Sequence, residues 1–241
     1  MSSSRTKMAH TLRALAWLLR YPDAESRAAL PALIDALRTE AALPAPRLDE
    51  LDLLATRLAT QPPMRVEADY VDLFDRSRQT ALHLFEHVHG DSRDRGPAMV
   101  DLTQTYERAG LLLDDGELPD HLAVVLEYAS TQPAEQAAAF LRETAHIVRA
   151  IFSALAGQGS PYAAVLAAAL DLAGERSERV PLAAEPGLDE AWAEPAAFGG
   201  CSTAGQARPG QPQPVHVHRR AAVKVATTAT ATATANPGAL R

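Results

Sequence analysis

The chain has 241 residues, 47% of them hydrophobic but only 5% aromatic, and a formal net charge of -7. That length suits one sizeable domain plus a tail, and a core drawn mainly from Leu, Ala and Val favours packed helices over sheets. A single cysteine, Cys201, excludes an intrachain disulfide and a Cys-based zinc site, and no apolar run reaches the length that spans a bilayer.

The N-terminal stretch MSSSRTKMAHTLRALAWLLRYP has the outline of a signal peptide, but its apolar part is short and broken by Arg13 and Arg20. It reads as a first helix, with Met8, Leu12, Leu15 and Leu19 along one stripe. Leu30, Leu33, Ile34 and Leu37 mark a second helix, ending before Pro44-Ala45-Pro46. Leu48, Leu51, Leu54 and Leu58 mark a third, stopped by Pro62-Pro63, and Val66, Tyr70, Leu73 and Phe74 a fourth. Pro97 suits a first helical position, with Met99, Leu102, Tyr106 and Ala109 following and Gly110 as the stop. Pro119 is expected to open a helix carrying Leu122, Val125, Leu126 and Ala129. Pro133 is expected to open a long one that ends at Gly157, and Ser160-Pro161 to cap and begin a last one reaching Leu172. The expected fold is all-α: a single compact domain over residues 1–180, of roughly eight to ten helices.

Beyond that domain the character changes. Residues 181–200 form a Pro/Gly-rich extension with isolated aromatics, Trp192 and Phe198, and residues 201–241 are low-complexity and expected to be disordered. From Pro195 onward there are five basic residues and no acidic one. Taken from the totals of 23 basic and 30 acidic residues, they leave 18 against 30 in residues 1–194, a net of -12. An acidic body argues against nucleic acid as partner and suits a basic peptide.

The segment Tyr70 to Met99, YVDLFDRSRQTALHLFEHVHGDSRDRGPAM, carries the densest chemistry. His83-Leu84-Phe85-Glu86-His87 is a formal H-x-x-E-H match, which would put two zinc ligands on one helix face with Glu86 as a base. That motif leaves His89 and the charges Asp91, Arg93, Asp94 and Arg95 without a role. No Gly-rich phosphate loop, no G-x-S-x-G and no Cys/His pair within a helix appears elsewhere. His216 and His218 with Cys201 are too few for a metal site.

Four blocks carry a resemblance to a known family. They are Tyr70 to Arg76; Leu84 to Gly90 with Ser92 to Gly96; Glu117 to Leu122 with Leu126-Glu127-Tyr128; and Leu188 to Pro195 with Phe198-Gly199 and Cys201. In this order they resemble the respiratory nitrate reductase delta subunit family, assembly chaperones of the wider group of redox-enzyme maturation chaperones. The resemblance implies a cytoplasmic chaperone, not an enzyme. It implies no cofactor of its own and absence from the finished enzyme. Its client would be the immature alpha (catalytic) subunit of membrane-bound respiratory nitrate reductase, bound mainly through an N-terminal segment. Molybdenum cofactor and iron–sulfur cluster would be inserted while the client is held, with molybdenum cofactor biosynthesis proteins as further partners. Another molybdoenzyme as client is the alternative, because the element that Pro119-Asp120-His121 resembles is shared across such chaperones.

On this reading a client peptide helix lays apolar anchors in a groove. Leu73, Phe74 and Phe85 are candidate groove residues, with Tyr70 and Tyr128 beside them. Glu86, Asp94 and Asp120 are candidates for the peptide's cations, with Arg93, Arg95, His121 and Glu127 as further candidate binding residues in the same blocks. Asp120 and His121 have helix capping as an equal alternative. Protonation of His87 or His89 near neutral pH would add positive charge and release a basic peptide.

Overall fold

Apolar residues at intervals of three and four make α1 (Ala9–Leu18) amphipathic, and Leu12, Leu15 and Leu18 are fully buried on its inner face. The structure, a computed structural model, describes residues 7–89, 93–114 and 116–182. Nine helices and no strand occur among them. After α1 come α2 (Ala24–Glu40), α3 (Ala45–Thr60), α4 (Pro63–Phe74), the five-residue α5 (Leu84–Val88) and α6 (Arg95–Arg108). The last three are α7 (Leu122–Thr131), α8 (Ala134–Gly157) and α9 (Ala163–Leu172).

Local chemistry sets several helix ends. Asp23 caps α2 by accepting from the Ser26 amide at 2.8 Å. Pro63 occupies the first position of α4, where a missing N–H costs nothing. The stop after α6 is Gly110, whose φ of +81° lets the Leu111 amide reach back to the Tyr106 carbonyl at 3.0 Å.

Three expected starts lie elsewhere. Pro97 is the third residue of α6, not the first. The last helix begins at Ala163 rather than Pro161, because Ser160 to Tyr162 form a tighter turn whose carbonyls accept from residues three ahead. Pro119 does not open α7. The backbone after it is drawn into a two-residue antiparallel bridge, and α7 starts at Leu122.

The centre is α9, buried all round from Ala164 to Leu172 except at Asp171, as expected of a helix surrounded by others. It packs on α8, α3 and α1, while α1 packs on α7 and α2. Asp171 meets Arg47 at 2.8 Å, tying α9 to the start of α3. Tyr70, Phe74 and Tyr162 form an aromatic cluster with centroids 4.8–6.1 Å apart, Tyr162 meeting the other two rings edge to face. The described residues all fall in one compact unit, Met1–Glu185. Gly90, Asp91 and Ser92 of the Tyr70–Met99 segment, and residues 183–241 with Trp192, Phe198, Cys201 and the Thr-Ala tail, lie outside the described residues. No described helix is long and apolar enough to cross a membrane.

Candidate functional site

The bridge after Pro119 builds the site. The Leu84 amide donates to the Asp120 carbonyl at 3.0 Å and the Leu122 amide to the Leu82 carbonyl at 2.9 Å, placing His83 opposite His121. The Asp120 side chain is fully buried beneath this bridge. Its Oδ2 accepts from the Phe85 amide at 3.1 Å, so it caps α5, a helix distant in sequence. Its Oδ1 lies 3.3 Å from His83 Nδ1, and the Arg95 guanidinium is 3.8 Å from Oδ2. His121 caps its own helix, Nδ1 accepting from the Ala123 amide at 3.3 Å.

The two histidine rings meet edge to face with centroids 5.0 Å apart, and their titrations diverge. The Asp120 bond raises the His83 pKa above its ordinary value against the opposing effect of burial. Burial, then the nearby His83, lowers His121 to about 4. Burial pushes the Asp120 carboxyl up, but the His83 bond, the Phe85 amide and the Arg95 charge outweigh it and leave the pKa low. The latch is therefore an Asp120 carboxylate, a readily protonated His83 and a neutral His121.

Two clefts open on either side of His83. The first, about 520 Å³, lies along α1 and α7. Trp17, Tyr21 and Tyr70 give it an aromatic floor, Leu118 and Val124 add apolar surface, and Asp23, Glu25, Glu117 and Glu127 form its rim. Arg20 is the one arginine or lysine in the lining. It sits 5.0 Å over the Trp17 ring and pairs with Glu117 at 3.3 Å. The second cleft, about 530 Å³, is lined by the chain from Phe74 to Arg78, Ala81, His83, Glu86 and Arg95.

The sequence candidates divide between these places. Tyr70, His121 and Glu127 line the first cleft, and Phe74, Glu86 and Arg95 the second. Tyr128 packs on Tyr106 at 4.7 Å and Phe140 at 4.9 Å, beside a smaller cleft that shares Arg20, Glu117 and Glu127 with the first. Leu73 faces a different hollow, near Tyr162. Phe85, His87, His89, Arg93 and Asp94 line neither cleft at His83. Phe85 meets the His89 ring at 5.6 Å, and His87 Nε2 lies 2.9 Å from the Ala81 carbonyl oxygen. Sequence reasoning passed over Trp17 and gave Arg20 and Tyr21 no site role. Their signal was Trp17 lying off the stripe of Leu12, Leu15 and Leu19, next to a Tyr-Pro break.

The H-x-x-E-H arrangement is not assembled. His83 precedes α5 in extended backbone (φ -85°, ψ 105°), held by Asp120, while His87 is turned to Ala81. Among the described residues no group of three or more His, Cys, Asp or Glu is placed to hold a metal.

A helical body with held side chains around open clefts has the build of a binding module. The chain belongs to the nitrate reductase delta subunit family, whose model matches residues 21–168. It is 42% identical over 156 residues to the "Nitrate reductase molybdenum cofactor assembly chaperone NarJ" of Escherichia coli (strain K12), covering 65% of this chain and 66% of that protein. It is 46% identical over 117 residues to the "Probable nitrate reductase molybdenum cofactor assembly chaperone NarW" of the same strain, covering 48% and 51%. A "Probable nitrate reductase molybdenum cofactor assembly chaperone NarJ" of Bacillus subtilis (strain 168) is 36% identical over 172 residues, covering 69% and 91%. The match thus spans just under two thirds of the Escherichia coli NarJ. These three relatives are named as assembly chaperones, not as catalysts.

Proposed function

We propose that the chain is a non-enzymatic, cytoplasmic assembly chaperone. In this reading it binds the apo catalytic subunit of a respiratory nitrate reductase and holds it for insertion of molybdenum cofactor and iron–sulfur cluster. The client's N-terminal segment lies in the first cleft, along α1 and α7. The observation that carries this reading is the pairing of an aromatic floor with a four-carboxylate rim in one groove. Trp17, Tyr21 and Tyr70 accept the apolar face of an amphipathic helix, and Asp23, Glu25, Glu117 and Glu127 accept its basic side chains. Arg20 already occupies the position of such a cation, stacked on Trp17 and paired with Glu117. A client arginine can take its place there with the same chemistry.

The test is calorimetric titration of the full chain with a synthetic peptide of the client's N-terminus. Binding at about micromolar Kd or tighter, near -8 kcal/mol, is expected. Loss of at least tenfold in Trp17→Ala places the peptide in the groove. A peptide that does not bind, or that binds Trp17→Ala equally well, overturns the reading.

A further inference from the structure

The lining of the second cleft carries one more cation than anion, in a body that is acidic overall. Residues 1–194 carry a net of -12, yet this cleft is lined by Arg76, Arg78 and Arg95 against Asp75 and Glu86. Each arginine is differently committed. Arg78 is exposed and has no hydrogen bond or ion pair among the described residues. Arg76 pairs at 2.8 Å with Asp72 one turn back on α4, and both side chains are largely solvent-exposed. Solvated pairs of that kind hold weakly and yield to a better anion. Arg95 is the fixed member, anchored by Glu86 at 3.4 Å and Asp120 at 3.8 Å. A guanidinium has five N–H donors, so two long contacts leave most of them free to serve a ligand.

His83 completes the wall. Its Nδ1 is engaged by Asp120, and Nε2 has no partner among the described residues. Phe74 and Ala81 supply a small apolar surface beside these cations. Three arginines lining one hollow suit a ligand that offers several oxygens carrying more than one negative charge. A phosphate group does so, and planar guanidinium forks match it in bidentate fashion. The space, about 530 Å³, is larger than an inorganic ion needs and falls in the range of small-molecule sites.

We propose that this second cleft binds a phosphate-bearing small molecule, with Arg78 and Arg76 capturing the phosphate against the anchored Arg95. The site is separate from the client groove and does not depend on the client reading. His83 forms part of both walls, so a ligand here sits one side chain away from the groove.

The experiment uses the full chain and inorganic pyrophosphate as probe, followed by calorimetry, with phosphatidylglycerol vesicles as a second arm. Saturable binding at one site per chain is expected. Arg78→Ala and Arg76→Ala each weaken it about tenfold, the effect of losing one charge-assisted contact. Arg65→Ala, which removes an arginine on α4 outside this cleft, leaves it unchanged. All three side chains are exposed, so the variants fold, and an unchanged urea-denaturation midpoint in each shows that they do. Absence of saturable pyrophosphate binding overturns the proposal. So does an Arg76→Ala/Arg78→Ala double variant that binds pyrophosphate like the parent, or binding to vesicles that pyrophosphate does not displace.

Discussion

Asp120 is the residue on which most of the site rests. It is fully buried, yet its carboxylate serves the Phe85 amide, His83 and Arg95 at once. Removing it leaves a buried amide without its acceptor and an arginine without one of two anions. Asp120→Ala is therefore expected to lower stability by about 2–4 kcal/mol in urea denaturation. Asp120→Asn should cost less, because an amide oxygen can still accept from Phe85. A loss under about 0.5 kcal/mol in the alanine variant would mean that the latch is not a structural keystone. His121 supplies a pH signature. Its pKa lies near 4 in the folded chain against 6.5 ordinarily. As pH falls below 6.5, the unfolded chain takes up a proton that the folded chain refuses, so stability drops between about pH 6.5 and 4. His83 acts in the opposite sense. Its raised pKa gives a contribution complete below 6.5 and lost as pH climbs through the folded value. Asp120 contributes above 3.8 and loses that contribution only in stronger acid. His121→Asn keeps a good capping side chain but cannot titrate. Its stability relative to the parent should rise by up to about 1.4 kcal/mol per pH unit on going from pH 6.5 towards 4. Parallel pH profiles for the two proteins would refute the assignment. The sequence pointed to this region through its histidines, and peptide release on protonation of His87 or His89 is a separate expectation about affinity rather than stability. The residues that face the buried carboxylate are set by a bridge between Leu82–Leu84 and Asp120–Leu122, which local spacing does not announce.

At the scale of elements, α7 has two jobs on two faces. Leu122, Val125, Leu126 and Ala129 are buried, and α7 packs chiefly on α1, while Val124 and Glu127 line the groove. Leu126 is fully buried, so Leu126→Ala should cost about 2–5 kcal/mol of stability through the cavity it leaves. Glu127 is exposed, so Glu127→Lys should leave stability within about 0.5 kcal/mol while weakening a basic client peptide several-fold. Urea denaturation and peptide titration of both variants separate the faces. A Glu127→Lys protein with undiminished peptide affinity would move the client off this groove. The buried face was legible because helical periodicity reports burial directly. Leu12, Leu15 and Leu19, or Leu51, Leu54 and Leu58, were marked by spacing and are in the core. Helix ends were less legible where distant residues decide them. Pro119 carries a start signal by composition, but its carbonyl accepts from the Tyr106 hydroxyl at 2.8 Å and the next residues pair with Leu82–Leu84. The groove was legible only in part, through Tyr70, His121 and Glu127, because Trp17 and Tyr21 come from one end of the domain and Glu117 from another. Each reads alone as an ordinary surface or core residue.

On the scale of the whole molecule, two kinds of force would act on one client peptide. The acidic total of residues 1–194 and the four-carboxylate rim attract a basic segment over distances set by ionic strength. The aromatic floor acts only on contact and is indifferent to salt or slightly favoured by it. The screening length falls from about 10 Å at 0.1 M salt to about 3 Å at 1 M. Rim contacts, which are exposed, should therefore fade across that range while floor contacts persist. Client-peptide affinity is expected to fall by about tenfold between 0.1 and 1 M sodium chloride and then level off rather than vanish. Trp17→Ala should lower the plateau, because it removes the floor, and leave the slope unchanged. Glu127→Gln should flatten the slope and leave the plateau, because it removes one rim charge. Calorimetric titration across the salt series reads both quantities. An affinity independent of salt would leave the acidic rim without a part in recognition. An affinity that disappears entirely at 1 M would do the same for Trp17, Tyr21 and Tyr70, and would assign binding to charge alone.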